Sequence, residues 1–166
     1  MIHIGIDPGL QGAVAALDDE GALLWVRDMP VCAEGVDGAV LADLLEEVRV
    51  WDAAGSFWER PVATVEHQVP VRNQGVVQTA KQHFGYGLIC GVLAGLGIEY
   101  ETVPPRVWQA SQTKGFPGAN AKQRARTAAP LLFPGADLEG PKGGFRDGRA
   151  DALLICKHGR DTWQSR

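Results

Sequence analysis

An α/β protein with helices packed on a mixed sheet is the fold class this sequence predicts, and three observations carry it. An apolar run over residues 2–6 stops abruptly at Asp7-Pro8-Gly9. Two further apolar runs, 13–17 and 22–26, are separated only by the polar turn Asp18-Asp19-Glu20-Gly21. From residue 38 onward, helix-period and strand-period patterns alternate. Three meandering strands followed by such alternation require a sheet covered by helices. The 166 residues suit one domain over 1–166, long enough to bury roughly 70% of the unfolded surface.

The elements follow in order. Residues 2–6 form a buried strand ended by a turn, and the next two runs complete an antiparallel meander. Between 38 and 51 the apolar positions Val40, Leu41, Leu44, Leu45 and Val48 recur at helical spacing, with Asp37 as the N-cap. Residues 62–66, after Pro61, make a second buried strand. Residues 76–96 are long enough for a helix, whose Gly85, Gly87, Gly91, Ala94 and Gly95 suit close packing on a sheet. A strand over 98–103 closes at Pro104-Pro105. A helix spans 122–132 and ends before Pro134-Gly135, 140–144 is a loop, and 147–158 is the last helix. The polar loop 111–121 is placed where substrate contacts commonly lie.

Composition narrows the function class. Hydrophobic residues make up 45% and charged residues 22%, as in ordinary soluble domains. The strongest apolar stretch, 88–96, is too short and too Gly-rich to span a bilayer. With no basic leader at the N-terminus, the expected location is the cytoplasm. Three cysteines, Cys32, Cys90 and Cys156, at wide spacing argue against a disulfide framework or zinc site and for buried reduced thiols. The net charge of −4 hides an asymmetry. Residues 1–105 carry 5 Lys/Arg and 15 Asp/Glu, whereas 106–160 carry 10 Lys/Arg against 4 acids. That basic half suits an anionic partner, or simply a solvated face.

Four acidic residues need an explanation. Asp7 and Glu66 each end an otherwise apolar strand, where a carboxylate is costly unless paired or metal-bound. Asp147 and Asp151, four apart, share one helix face with like charges, and Arg149 between them points elsewhere. Oxygen ligands without a His/Cys cluster suit Mg²⁺, with Mn²⁺ as substitute, and four carboxylates are enough to hold two ions about 4 Å apart. Taken singly, each also admits a structural role: Asp7 opening a turn, Asp147 capping a helix, Glu66 and Asp151 paired to Arg.

The motifs themselves point further. Gly5-Ile6-Asp7-Pro8-Gly9, Val65-Glu66, and Arg149-Ala150-Asp151-Ala152-Leu153-Leu154 resemble, in order, the three acidic motifs of RuvC-type Holliday-junction resolvases. Pro70, Gln74-Gly75, Gly85, Gly87, Val103-Pro104 with Trp108, and Lys122 with Leu132-Phe133-Pro134 resemble the phage and organelle branch of that superfamily. The resemblance spans nearly the whole chain. It implies the ribonuclease-H-like fold, with three antiparallel strands then parallel ones. It also implies a homodimer and symmetric, Mg²⁺-dependent incision of four-way branched DNA, leaving 5′-phosphate and 3′-hydroxyl ends. Asp7, Glu66, Asp147 and Asp151 are the implied catalytic metal ligands. One departure stands out: the family's penultimate ligand position falls on Gly148, so its role passes to Asp147, one residue earlier.

Residues 68–72 follow Glu66 where similar resolvases place a loop near the junction centre, and Arg72 is its candidate phosphate contact. Arg106, Lys114, Lys122, Arg124 and Arg126 are further candidates for the DNA backbone, which dominates affinity. His158, two turns after Asp151, is read as structural, and Trp108 as core packing. Two other classes compete: a ribonuclease-H-like nuclease acting on structured RNA, of the pre-ribosomal-RNA processing type, and an actin-like ATPase. The latter lacks a P-loop here.

Overall fold

A computed structural model describes residues 1–48, 61–69, 75–141 and 143–165. Its strands are β1 (Ile2–Asp7), β2 (Ala13–Leu17), β3 (Leu23–Asp28), β4 (Val31–Cys32), β5 (Gly35–Val36), β6 (Pro61–Glu66) and β7 (Glu99–Val103). Its helices are α1 (Gly38–Glu46), α2 (Val76–Gly95), α3 (Pro105–Gln112), α4 (Ala121–Leu132) and α5 (Asp147–Trp163). Five strands form one sheet in the order β3-β2-β1-β6-β7. β1, β2 and β3 pair antiparallel, and β6 and β7 add in parallel, as expected from the sequence.

Strand parity divides the core. Successive side chains on a strand point to opposite faces. Ile2, Ile4 and Ile6 of β1, with Ala63 and Val65 of β6, pack with Leu41 and Leu45 of α1 and Ile89 and Leu93 of α2. On the other face Ala13, Ala15 and Leu17 of β2 pack with Trp108 of α3, Ala125 and Ala128 of α4, and Leu153 and Leu154 of α5. The sheet is thus covered on both sides, which explains its near-continuous apolar strands.

Helix α5 lies against β1 almost backbone to backbone. A Cβ on Gly5 would sit 2.3 Å from the carbonyl oxygen of Ala152 and 2.3 Å from the amide nitrogen of Cys156. The Cys156 thiol donates to the carbonyl of His3 at 3.0 Å, fixing the same contact. At the helix start, a Cβ on Gly148 would sit 2.2 Å from the carbonyl oxygen of Gln11, in the turn after β1.

Several expectations are corrected. Residues 105–112 are helix rather than connection and loop, because Pro105 sits in the first turn, where its missing N–H costs nothing. The hairpin β4–β5 adds a second, two-stranded sheet. α5 runs to Trp163, five residues beyond the predicted end. α1 ends at Glu46, and the predicted helix end at 49–51 lies outside the described residues, as do Arg72, Pro70, Gln74 and Lys142. Asp37 caps α1 as expected, accepting from the amides of Ala39 and Val40. Of the three free cysteines, only Cys156 is buried, whereas Cys32 is exposed. Among the described residues no helix is long and apolar enough to cross a membrane.

The α5–β1 contact sets a stability prediction. Gly5→Ala forces backbone apart and is expected to destabilise by about 1–3 kcal/mol or more. Gly91→Ala, at an exposed position inside α2 with nothing within 4 Å of an added Cβ, is expected to stabilise by about 1 kcal/mol. Urea unfolding of both variants checks the pair of signs.

Candidate active site

The parallel register sets Ile6 opposite Val65, so Asp7 and Glu66 finish adjacent strands about 4.8 Å apart. Parity turns both toward the α5 face, because the flanking Ile6 and Val65 face α1 and α2. The close α5–β1 contact then brings Asp151, in the second turn of α5, over these strand ends. Asp7 and Asp151 line one cleft of about 290 Å³ with Gly9, Gln11, Gly12, Lys122, Phe145, Arg146, Asp147 and Gly148. Glu66 stands beside it.

The electrostatics separate these acids into two kinds. Burial raises the pKa of Asp7, against a hydrogen bond from the Gly9 amide at 3.2 Å. Glu66 is pushed up to about 7, by burial first and then by the negative charge of Asp7. Asp151 is pushed up to about 8 by burial, then by Asp7, Glu66 and Asp147, with Lys122 opposing. No cation among the described residues forms an ion pair with any of these three. Asp147 is the opposite case. Its Oδ1 accepts from Arg126 Nε at 2.5 Å, and its Oδ2 from Arg126 at 2.9 Å and from Lys122 Nζ at 2.7 Å. Those hydrogen bonds, Arg126 foremost, hold its carboxyl below the ordinary range.

Among the described residues no group of three or more acidic, His or Cys side chains is placed to hold a metal ion. The charge of Asp7 raises the pKa of Glu66, and Asp7 and Glu66 both raise that of Asp151, without the three being gathered around one point. Their chemistry nonetheless fits a hard divalent cation: oxygen donors only, half-buried, and penalised in the charged form. The fit is weaker at Asp147, whose two oxygens are both taken.

The predicted basic residues scatter. Lys122 reaches the cleft. Arg106 is exposed in the first turn of α3, at the end of the sheet where β1 and β6 also finish, and Lys114 is exposed just after that helix. Arg124 is half-buried on α4. Arg149 does point away from the site, to Asp28 at 2.7 Å and Asp137 at 2.7 Å. His158 is buried, with Nδ1 2.9 Å from Ser111 Oγ, and joins α5 to α3. Sequence reasoning missed two contributors. Arg146 lines the cleft, and its place beside Asp147 was the available signal. Trp108, fully buried, donates its indole N–H to Glu66 Oε2 at 2.7 Å, a contact that nothing in local sequence spacing reveals.

No protein-family model and no curated protein sequence matches the chain. Solved structures do. One described as T. thermophilus RuvC in complex with Holliday junction substrate matches at a TM-score of 0.65 and 16% identity, over 99% of this chain and 96% of that one. A Thermus thermophilus RuvC structure matches at 0.66 and 18% identity, over 99% and 97%. The fold is therefore ribonuclease-H-like. Within that class it is the RuvC-type arrangement, along nearly the whole of both chains.

The raised carboxylates set a pH prediction. Glu66 and Asp151 bind protons more tightly folded than unfolded, so they stabilise at low pH and lose that contribution as pH rises through about 7 and 8. His3 and His158, whose pKa values burial lowers, oppose this only below their ordinary value near 6.5. In EDTA the melting temperature is therefore expected to fall from pH 6.5 to pH 8. Asp7→Asn, which removes a charge that raises both groups, flattens that slope in the same calorimetric series.

Proposed function

We propose that the chain is a metal-dependent, structure-selective endonuclease that makes symmetric incisions in four-way branched DNA as a homodimer. The observation that carries this reading is the approach of three half-buried carboxylates with no ion-pair partner among the described residues, two at strand ends and one on α5 of a RuvC-type fold, beside a basic rim. The solved relative in complex with a Holliday junction substrate supports the choice of branched DNA.

Asp7, Glu66 and Asp151 would hold Mg²⁺, two ions in the usual arrangement, with Mn²⁺ able to substitute. When bound, the metal supplies activation of a water and stabilisation of the leaving oxygen in phosphodiester hydrolysis. The remaining work falls to the chain. Lys122 and Arg126, held at the cleft by Asp147, face an incoming phosphate together with Arg146. In this reading Asp147 presents two cations and joins the metal set only by giving them up. Arg106, Lys114 and Arg124, on α3, just after it and on α4, would meet phosphates away from the cleft, and Arg72 joins them by sequence position alone.

The dimer has support of its own. Val76, Val77 and Phe84 on α2 are 85%, 71% and 67% exposed, an apolar strip that isolated soluble domains rarely leave open. Paired incision needs two sites related by a two-fold axis, and an apolar strip packed on its copy in a second chain would meet that demand.

A labelled synthetic four-way junction, incubated with Mg²⁺ beside linear duplex and structured RNA, checks the reading. Paired nicks on opposite strands of the junction alone are expected. Asp7→Asn should lower the rate by more than about a hundredfold while junction binding in EDTA stays intact. Equal cutting of structured RNA, or undiminished cutting by the Asp7 variant, contradicts it.

A further inference from the structure

Trp108 carries a feature that core packing does not require. Its ring is fully buried in the core layer that also holds Val103, Ala125, Ala128 and Leu154, yet its one polar atom is aimed at Glu66 Oε2, 2.7 Å away. A phenyl ring would fill much of the same space without needing a partner. The helix that carries it is itself pinned. Ser111 Oγ donates to the carbonyl of Trp108 at 3.0 Å and meets His158 Nδ1 of α5 at 2.9 Å. Helix α5 therefore pins the helix that carries the indole.

The Glu66 carboxylate accepts no other hydrogen bond among the described residues, so the indole alone orients it. One oxygen is tied down and the other is left open. A ligating carboxylate with a free χ3 would have to lose that freedom on binding a cation, whereas a hydrogen-bonded one has lost it beforehand.

We infer that Trp108 is a positioning residue that holds Glu66 in its ligating orientation through the indole N–H. This rests on the reading of Glu66 as a metal ligand, and the assignment concerns Trp108 alone.

The experiment measures Mg²⁺ affinity directly, by calorimetric titration of the intact protein. Wild type, Trp108→Phe, Glu66→Gln, the double variant and Asp7→Asn are compared. Trp108→Phe is expected to weaken Mg²⁺ binding about tenfold, the range found for outer partners of metal ligands. Junction affinity in EDTA is expected to be unchanged. In the Glu66→Gln background the Trp108 change should add nothing, because the two act as one unit.

Affinity within twofold of wild type in Trp108→Phe, or additive losses in the double variant, overturns the inference. Absence of Mg²⁺ binding in wild type overturns the metal-ligand reading and this inference with it. Loss in Asp7→Asn but not in Trp108→Phe overturns the inference alone. Should Trp108→Phe not fold, the indole N–H resonances of the ¹⁵N-labelled wild type decide. The one that moves in Glu66→Gln must also move on adding Mg²⁺, and its failure to move overturns the proposal.

Discussion

The backbone contact between α5 and β1 is the constraint on which the other features of this molecule depend. Two elements can approach this closely only where a side chain is missing, and Gly5 leaves room for the carbonyl of Ala152 and the amide of Cys156. Any larger residue there lifts the helix off the sheet. Asp151 would then lose its place over Asp7 and Glu66, because it sits only one residue before Ala152 on the same helix. Gly148 repeats the device one turn earlier, against the turn that follows Asp7. It also gives a physical reason for the shifted acidic residue. A carboxylate at 148 has no room while the turn after β1 occupies that position, so the acid stands at 147, at the edge of the cleft.

That placement has an electrostatic consequence. Asp147 and Asp151 lie four residues apart on one helix face, yet their carboxyl groups are driven in opposite directions. The outer one is 28% exposed and meets Lys122 and Arg126, so its charge is favoured. The inner one is buried toward two other acids, so its charge is opposed. The chain thus keeps one neutralised carboxylate at the rim and three under-neutralised ones at the floor. The basic C-terminal half matters here less by its net charge than by where Lys122, Arg126 and Arg146 stand.

The sheet was legible because its signals are local. Apolar runs ending in Asp or Glu, a polar four-residue turn, and alternation thereafter define five strands and their connections without tertiary information. Strand parity even places Asp7 and Glu66 on the same face. Helix α3 was not legible: Pro104-Pro105 reads as a terminator, although a proline in the first turn is equally a helix start. The short β4–β5 hairpin has too few residues for a period to show. The partners of the site residues were hidden for a deeper reason. Trp108 lies 42 residues from Glu66, and Arg126 lies 21 from Asp147, so each pair exists only because separate elements converge. Sequence spacing constrains neighbours on one element and says little about encounters between them.

The convergence also explains why the site needs both of its charge layers. A sheet buried on both faces has no room for charge except at the strand ends, and ligands of open α/β sheets gather at the carboxyl ends for the same reason. Here β1, β6 and β7 are parallel, so their carboxyl ends share one edge. Three ionised acids there would repel a phosphodiester, whatever the rim contributes, since attraction from Lys122 and Arg126 is partly spent on Asp147. The repulsion is relieved by protons below the raised pKa values of about 7 and 8, or by cations above them. Protonation of Glu66 and Asp151 removes two of the three charges, whereas a divalent cation, if bound, would make the floor attractive to an anion. With its acids ionised, such a floor is compatible with an anionic substrate only when a positively charged component lies between them.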